Sequence, residues 1–254
     1  MTFHRFATAA SIAVLVCTHG IAAQAAEIKV VAAEIMEDVL KDLGPKFEKA
    51  TGHKLVVKSG LAVALSKELQ AGEAFDLVVF PTGLIKNPDN QALYAQNTLV
   101  AVAKVGQGVA VRAGAPKPDI STPDKFKAAL QKAQSVAFVP PGASGMHTLK
   151  VFETLGIAEE MKAKTKAQKT PNEVPVAVAK GEVELGLMLM NILTAAHGID
   201  IIGPYPGELQ QYLVFSGVVG AKAREPDAAA AFIKFLAAPD AAPVIKEKGL
   251  LPAA

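Results

Sequence analysis

From residue 26 onward, short apolar runs alternate with segments in which apolar residues recur every three or four positions. The run EIKVVAA predicts a buried strand, and HKLVVKS and FDLVVF predict the next two strands. The segment between the first two predicts a helix whose apolar face holds Val39, Leu40, Leu43 and Phe47. A further helix is predicted from Leu61 to Ala71. Strand, helix, strand, helix, strand is the order of parallel strands joined by right-handed crossovers, so the pattern predicts an α/β fold.

Two longer apolar runs break this alternation. NTLVAVAKVGQGVAVRAG and LQQYLVFSGVVGAKA exceed a typical strand and carry glycines in their middle, as expected where a chain passes from one lobe to another. The stretch between them repeats the α/β alternation. We therefore predict two lobes, each a mostly parallel sheet flanked by helices, with a ligand cleft between them. Lobe 1 comprises residues 26–105 plus 215–254, and lobe 2 comprises residues 106–214.

The first 25 residues form a predicted secretory signal peptide. Arg5 supplies the positive charge, an apolar segment follows, and Ala23 to Ala25 give a small-residue cleavage pattern. The single cysteine, Cys17, lies inside this segment after Val16, where a lipoprotein signal has a small residue. We therefore expect a periplasmic protein without a lipid anchor, a membrane-inserted segment, a disulfide or a thiolate metal site.

The charge balance narrows the classes of partner. The chain has 26 Lys and Arg against 24 Asp and Glu, and removal of Arg5 with the signal peptide brings it closer to neutrality. Nucleic-acid-binding proteins carry clustered basic residues, so that class is not expected. No phosphate loop, dinucleotide fingerprint, zinc motif or serine nucleophile elbow is found in the sequence. We expect a monomer without a metal or cofactor that binds a small anionic ligand.

Two Ser-Gly pairs suggest where that anion binds. Ser59-Gly60 and Ser144-Gly145 each follow a predicted strand and precede a short helix, and they fall in different predicted lobes. A helix N-terminus presents about four N–H groups without intrahelical partners and roughly half a positive charge. Glycine lets a ligand approach the backbone. The alternative is simple helix capping, which is common for serine.

Several phrases resemble a known family. VVAAEIMEDVLKDLGPKFEKATGHKLVV, LSKELQAGEAFDLVVF, VAVAKGEVELGLMLM and AAAFIKFLAAPDAAPVIKEKGL are similar to segments of periplasmic substrate-binding proteins of the molybdate-binding type. The resemblance spans nearly the whole chain after the signal peptide. It implies the type II binding fold, in which two lobes close over a ligand, and it implies an ABC transporter permease as a partner.

The departures from that family concern the ligand. A serine that holds the oxyanion in molybdate binders corresponds here to Ile35, which follows Glu34. Of a serine-rich turn only Ser59 remains, and Leu189 stands where a tyrosine is expected. A tetrahedral oxyanion needs many donors to replace its hydration. We therefore expect a ligand other than molybdate.

Cationic and donor residues at the predicted strand ends favour a carboxylate. Lys58, Arg112 and His147 can bind carboxylates, although Lys58 and Arg112 could equally be ordinary surface residues. The predicted ligand contacts are Lys58, Ser59, Gly60, Thr82, Arg112, Ser144, Gly145, His147 and Asn191. The favoured function is a periplasmic solute-binding protein for a small di- or tricarboxylate that serves ABC-type uptake.

An enzymatic alternative remains open at this point. Exported proteins that resemble this fold include aconitate isomerases, which interconvert the cis and trans forms of an unsaturated tricarboxylate. That reaction requires a base and an acid in a water-poor cleft. His147 is the candidate base, and Glu34 or Lys58 is the candidate partner. A third alternative, an interaction protein with an unused cleft, is less favoured.

Overall fold

The computed structural model describes residues 25–140 and 143–253, so the predicted signal peptide lies outside it except for Ala25. The strands are β1 (Glu27–Ala33), β2 (Lys54–Gly60), β3 (Leu77–Pro81), β4 (Val100–Val105), β5 (Gln107–Arg112), β6 (Val136–Phe138), β7 (Thr165–Ala167), β8 (Leu185–Leu189), β9 (Ile199–Pro204), β10 (Leu213–Val219) and β11 (Leu251–Pro252). The α-helices are α1 (Glu37–Thr51), α2 (Ala62–Gln70), α3 (Thr82–Ile85), α4 (Pro123–Lys132), α5 (Ala143–Thr154), α6 (Ala158–Lys164), α7 (Glu173–Ala179), α8 (Met190–Thr194), α9 (Pro226–Ala237) and α10 (Ala242–Glu247). Short 3-10 turns include Glu34–Met36 and Gly207–Leu209.

These strands form two sheets, which confirms the predicted two-lobed α/β architecture. Lobe 1 contains the sheet β11-β4-β10-β3-β1-β2, and lobe 2 contains the sheet β7-β6-β8-β5-β9. The prediction of mostly parallel sheets is wrong in detail. In each sheet only three neighbouring strands are parallel, β2-β1-β3 and β7-β6-β8, and the remaining pairs are antiparallel. The reversal arises because the strands beside the connections between lobes run back from the shared end of the sheets.

Two chain segments connect the lobes, and we call them the crossing segments. The first passes from Val105 at the end of β4 to Gln107 at the start of β5, and the second joins β9 to Leu213 at the start of β10. In lobe 1, Leu213 pairs with Val105; in lobe 2, Gln107 pairs with Leu189, the last residue of β8. Both crossing segments therefore leave from the sheet ends where the parallel strands terminate. The carboxyl ends of the two sets of parallel strands consequently face one shared cleft.

Aromatic side chains fill the core of each lobe. In lobe 1, Phe47 of α1 packs on Phe232 of α9 with ring centroids 4.8 Å apart, so the C-terminal helix returns to the first lobe. In lobe 2, Phe126 packs on Tyr205 at 5.0 Å. Full burial of a side chain of this size contributes about 1.5–3 kcal/mol. The periodicity of apolar residues had predicted the buried face of α1 that contains Phe47, since burial is what the pattern encodes.

No single helix within residues 25–140 and 143–253 has the length and apolar composition needed to cross a membrane. One bent pair, Pro226–Ala237 with Pro239–Glu247, passes that test by length and composition, with an angle of 61° between its halves. Phe232, Ile233 and Leu236 of this pair are buried in the lobe 1 core.

Candidate functional site

A cavity of about 130 Å³ lies at the carboxyl ends of the lobe 2 strands, and we call it the cleft cavity. Its lining comes from lobe 2, the second crossing segment and the start of β10: Gln107, Ser144, His147, Leu189, Gln211, Tyr212 and Leu213. Amide, hydroxyl and imidazole groups lie here beside aliphatic and aromatic side chains. Such a lining suits an organic molecule with both polar groups and a carbon skeleton.

Helix α5 brings Ser144 and His147 to this cavity. The helix spans Ala143–Thr154, so Ser144 and Gly145 lie in its first turn and His147 follows in the next positions. N–H groups in a first helical turn lack intrahelical partners, and the helix dipole favours negative charge there. The second of the two predicted helix starts therefore lies at the cleft end of lobe 2, and anion binding there stays a prediction.

A buried hydrogen-bond network fixes the start of α5. The Gln107 side-chain Nε2 donates to the Ser144 carbonyl at 2.9 Å, and the Thr148 hydroxyl donates to Gln107 Oε1 at 2.9 Å. Gln107 is 3% exposed and Thr148 is fully buried. Burial raises the pKa of Tyr205, whose protonated hydroxyl can then donate to Thr148 Oγ1 at 2.9 Å. A fully satisfied buried network of this kind restricts the position of its members.

The same glutamine joins the two crossing segments. The Gln107 backbone N–H donates to Gln210 Oε1 at 2.9 Å, and Gln210 Nε2 donates to the Gln107 carbonyl at 2.8 Å. Gly106 permits this approach, since a Cβ there would lie 2.8 Å from Gln210 Nε2. The Gln210 side-chain amide, on the second crossing segment, thus forms hydrogen bonds with both backbone polar groups of Gln107 at the end of the first. We call this pair of bonds the glutamine clamp.

His147 is oriented by the second crossing segment. Its Nε2 lies 2.9 Å from the Leu209 carbonyl oxygen, and its ring stacks near Tyr205 with a centroid distance of 6.2 Å. A carbonyl oxygen only accepts hydrogen bonds, so Nε2 must carry the hydrogen. The lone pair of neutral His147 is therefore on Nδ1, which is the atom that can accept a proton.

A close backbone contact, which the sequence did not reveal, explains why position 145 is a glycine. A Cβ at this position would overlap the carbonyl oxygen of Val139 and come within 2.8 Å of Pro140 Cα. The glycine therefore lets the first turn of α5 lie against the backbone that follows β6. Its role in ligand approach stays a prediction.

Replacing Gly145 with alanine is expected to lower the free energy of unfolding by at least about 1–3 kcal/mol, because the obstructing atoms belong to the backbone and must be displaced. Gly83→Ala is the matched control: Gly83 lies in α3, and nothing lies within 4 Å of its hypothetical Cβ. That control should change stability by less than about 1 kcal/mol. Urea unfolding of both variants measures the difference, and equal stabilities would contradict the close approach.

The first Ser-Gly pair is not a helix start. Ser59 and Gly60 are the last residues of β2, Leu61 precedes the helix, and α2 begins at Ala62. The Ser59 hydroxyl donates to Glu37 Oε2 at 2.7 Å. The prediction of two equivalent helix starts is therefore wrong, because strand β2 continues through its serine whereas α5 begins before its own.

The Ser59 bond can be tested through the pKa of Glu37, which is lowered first by the hydrogen bond from Lys41 and then by the bond from Ser59. Ser59→Ala should raise this pKa while leaving it below its usual range. A lowered carboxyl pKa stabilises the fold above the unfolded-state pKa, and that contribution is lost as pH falls through the folded-state pKa. Ser59→Ala therefore narrows the pH range over which Glu37 stabilises the fold. Carboxyl NMR titration measures it, with Ser135→Ala as the control; an unchanged Glu37 pKa would contradict the bond.

Lys58 is engaged elsewhere. Its amine lies 2.6 Å from Glu68 Oε2 and 2.8 Å from Glu73 Oε1, on the exposed edge strand of lobe 1. The hydrogen bonds to Glu68 and then to Glu73 raise the pKa of Lys58. Its charge is thus neutralised by two carboxylates, which weighs against the predicted contact between Lys58 and a ligand and against its role as a catalytic partner.

Arg112 lies at the wrong end of its sheet. Strand β5 is antiparallel to β8, with Gln107 opposite Leu189, so the cleft is at the start of β5. Arg112 ends that strand about 17 Å away, at 3.3–3.4 Å per residue, where its side chain lies beside Gly181. The prediction that Arg112 faces the cleft is wrong, because the strand runs opposite to the direction assumed.

Three other predicted residues follow strands at the cleft end. Glu34 is exposed in the turn after β1. Thr82 starts α3, and its hydroxyl lies 3.0 Å from the Val214 carbonyl and 2.7 Å from Ser216 Oγ. Asn191 lies in the first turn of α8, and its buried Oδ1 has no hydrogen-bond partner within the described parts of the chain. None of the three lines the cleft cavity.

Sequence reasoning missed Gln107, Thr148 and the Gln211-Tyr212 pair. Gln107 gave one usable signal, because it is a glutamine in an apolar run. A polar side chain in a buried strand requires hydrogen-bond partners. Across residues 25–140 and 143–253, no group of three or more His, Cys, Asp or Glu residues is arranged to hold a metal ion.

Comparison with known proteins identifies the family and two similar proteins. Residues 28–251 match the family of bacterial extracellular solute-binding proteins. An aconitate isomerase of a Pseudomonas species is 35% identical over 220 residues, which cover 84% of this chain and 83% of that protein. The molybdate-binding protein ModA of Azotobacter vinelandii is 28% identical over 248 residues, covering 90% of this chain and 91% of that protein.

Among solved structures, a substrate-binding domain assigned to a molybdenum ABC transporter of Clostridium difficile superposes with a TM-score of 0.81. The alignment covers 91% of this chain and 100% of that domain at 17% sequence identity. At that identity the likeness establishes the fold and leaves the ligand open.

Proposed function

Because the chain belongs to the family of bacterial extracellular solute-binding proteins, we propose that it binds a small organic polycarboxylate in the cleft between its lobes. The predicted signal peptide supports export to the periplasm. A permease of the ABC type is the corresponding partner for an uptake role. The observation that carries the proposal is the lining of the cleft cavity.

That lining supports an organic anion over a bare oxyanion. Ser144 offers a hydroxyl donor, and the first turn of α5 adds the favourable dipole. Leu189 and Leu213 form apolar walls that match a carbon skeleton. Leu189 replaces the tyrosine expected in molybdate binders, and Ser59 is already bonded to Glu37. A micromolar Kd requires only about 8 kcal/mol, which a few charge-assisted hydrogen bonds can supply.

Thermal unfolding tests the binding proposal. A ligand at 100 times its Kd stabilises the native state by about 2.7 kcal/mol, and such a gain raises the Tm of a chain this size by about 5–10 °C. We expect that shift with trans-aconitate or a related tricarboxylate and not with molybdate. A shift with molybdate alone, or with none of the anions, would overturn the proposal.

The geometry of His147 favours a second candidate function, isomerisation of the bound tricarboxylate. Its Nε2 is held by the Leu209 carbonyl, so Nδ1 is left as a base at a cavity-lining position. The relative that is 35% identical is named as an aconitate isomerase. Both observations support a cleft that rearranges its ligand as well as holding it.

The proposed reaction is an allylic proton shift. Nδ1 of His147 removes a proton from the methylene carbon of aconitate, and the electron pair of the broken C–H bond forms the new double bond. The former double bond opens, and its vinyl carbon takes a proton from the histidinium, which returns His147 to its neutral form. The two outer carbons of aconitate carry equivalent carboxylates, so this shift can exchange the cis and trans forms without a cofactor. Helix α5 would stabilise the negative charge that develops on the adjoining carboxylates.

A further inference from the structure

A second cavity, of about 340 Å³, lies where the lobes meet at the crossing segments. We call it the hinge cavity. Its lining comes from both crossing segments, from α8 and β9 of lobe 2, and from the C-terminal turn of lobe 1: Gly106, Met190, Thr194, Pro204, Gln210, Tyr212, Lys246, Gly249, Leu250 and Leu251. It shares only Tyr212 with the cleft cavity and includes neither Ser144 nor His147. A ligand here would therefore not occupy the proposed substrate site.

Backbone contacts frame this cavity. Gly249 lies between α10 and β11, and a Cβ at that position would come within 2.7 Å of Asn191 Cα and 3.2 Å of the Thr194 side chain. The C-terminal turn of lobe 1 thus lies directly against α8 of lobe 2. On another side, Gly106 packs against Gln210 and Tyr212. Backbone at these positions cannot collapse into the space as a flexible side chain could.

The walls are mainly apolar and carry one cation. Met190, Pro204, Leu250 and Leu251 contribute aliphatic surface. Lys246 is exposed and forms no ion pair with the residues that the structure describes, whereas its neighbour Lys248 pairs with Asp42 at 2.8 Å. An apolar cavity with one available ammonium group at its edge is complementary to an apolar molecule with one anionic end.

We propose that the hinge cavity is a second binding site, which takes a small apolar monocarboxylate. Its hydrocarbon part lies against Met190, Leu250 and Leu251, and its carboxylate pairs with Lys246. The volume of about 340 Å³ falls within the range of small-molecule sites. This ligand class differs from the proposed polycarboxylate, whose charges the apolar walls would desolvate without pairing.

Calorimetry with octanoate tests the charge requirement in the full mature chain. Octanoate should bind, and Lys246→Gln should weaken its binding by about 1.5- to 5-fold, the range that one partly exposed ion pair usually contributes. Lys49→Gln removes the same charge from an exposed lysine of α1 and should change nothing. Binding of 1-octanol, which lacks the carboxylate, should be equal in all three proteins. Equal octanoate affinities in the wild type and the Lys246→Gln variant would overturn the role of Lys246.

A second substitution tests the location. Leu251→Trp enlarges a half-exposed wall residue on the edge strand β11, where aromatic residues are tolerated. It should reduce octanoate binding at least tenfold while circular dichroism shows an unchanged fold. Saturating trans-aconitate should leave octanoate binding in place. Displacement of octanoate by trans-aconitate, or full binding by the Leu251→Trp variant, would place octanoate elsewhere and overturn the proposal.

Discussion

Replacing His147 with glutamine is expected to lower the rate of the proposed aconitate isomerisation by roughly 10²- to 10⁴-fold, the usual contribution of a general base. The glutamine amide can still donate to the Leu209 carbonyl, which His147 Nε2 contacts at 2.9 Å. It cannot accept a proton, because an amide has no basic nitrogen at neutral pH. The variant should therefore fold and retain tricarboxylate binding while losing turnover, as followed by proton NMR of trans-aconitate.

The matched control is His197→Gln, since His197 is exposed and does not line the cleft cavity. It should isomerise aconitate at the wild-type rate. If His147→Gln retains most of its turnover, His147 is not the base. If the wild-type protein binds aconitate and never converts it, the isomerase is excluded and the binding function stands.

The second large effect is expected for Gln107→Leu. Leucine matches the size of glutamine but removes its two side-chain bonds, one to the Ser144 carbonyl and one from the Thr148 hydroxyl, both at 2.9 Å. The Thr148 hydroxyl can still donate to the Ser144 carbonyl at 3.1 Å. Each hydrogen bond lost in this way costs about 0.5–1.5 kcal/mol. We expect a loss of about 1–3 kcal/mol in the free energy of unfolding by urea. Tricarboxylate binding should also weaken, because Gln107 no longer holds the start of α5.

Gln96→Leu provides the control, since Gln96 is exposed in a 3-10 turn of lobe 1 and should change stability by less than about 0.5 kcal/mol. A double-mutant cycle with Thr148→Val then isolates the network. Residues that share hydrogen bonds couple by about 0.5–3 kcal/mol. Strictly additive losses would show that Gln107 and Thr148 act independently, contrary to the geometry.

Much of the fold followed from the sequence because burial imposes its periodicity on the chain. Helix α1 and strands β1, β2 and β3 lie where the apolar patterns predicted them. Strand direction was harder to predict, since β5 and β10 reverse only because of where the crossing segments leave the sheets. The order of apolar and polar residues along the chain does not show where the crossing segments leave the sheets.

The candidate site, too, was predicted only in part. His147 and Ser144 reach the cavity because a helix that follows a parallel strand must begin at the cleft end. Lys58 did not, since sequence shows a charge but not its partners, here Glu68 and Glu73. Gln107 was overlooked because one glutamine in a strand has no meaning until its burial is known.

The glutamine clamp has a kinetic consequence. Gln107 holds the start of α5 as well as the second crossing segment, and Leu209 on that segment holds His147. The lobe 2 half of the site is therefore assembled before any ligand arrives. Encounter should occur on this ready surface, and lobe 1 should follow in a slower, unimolecular step. In stopped-flow experiments the observed rate constant should then level off at high ligand concentration. Its limiting value would be the rate constant for the movement of lobe 1 onto the bound ligand.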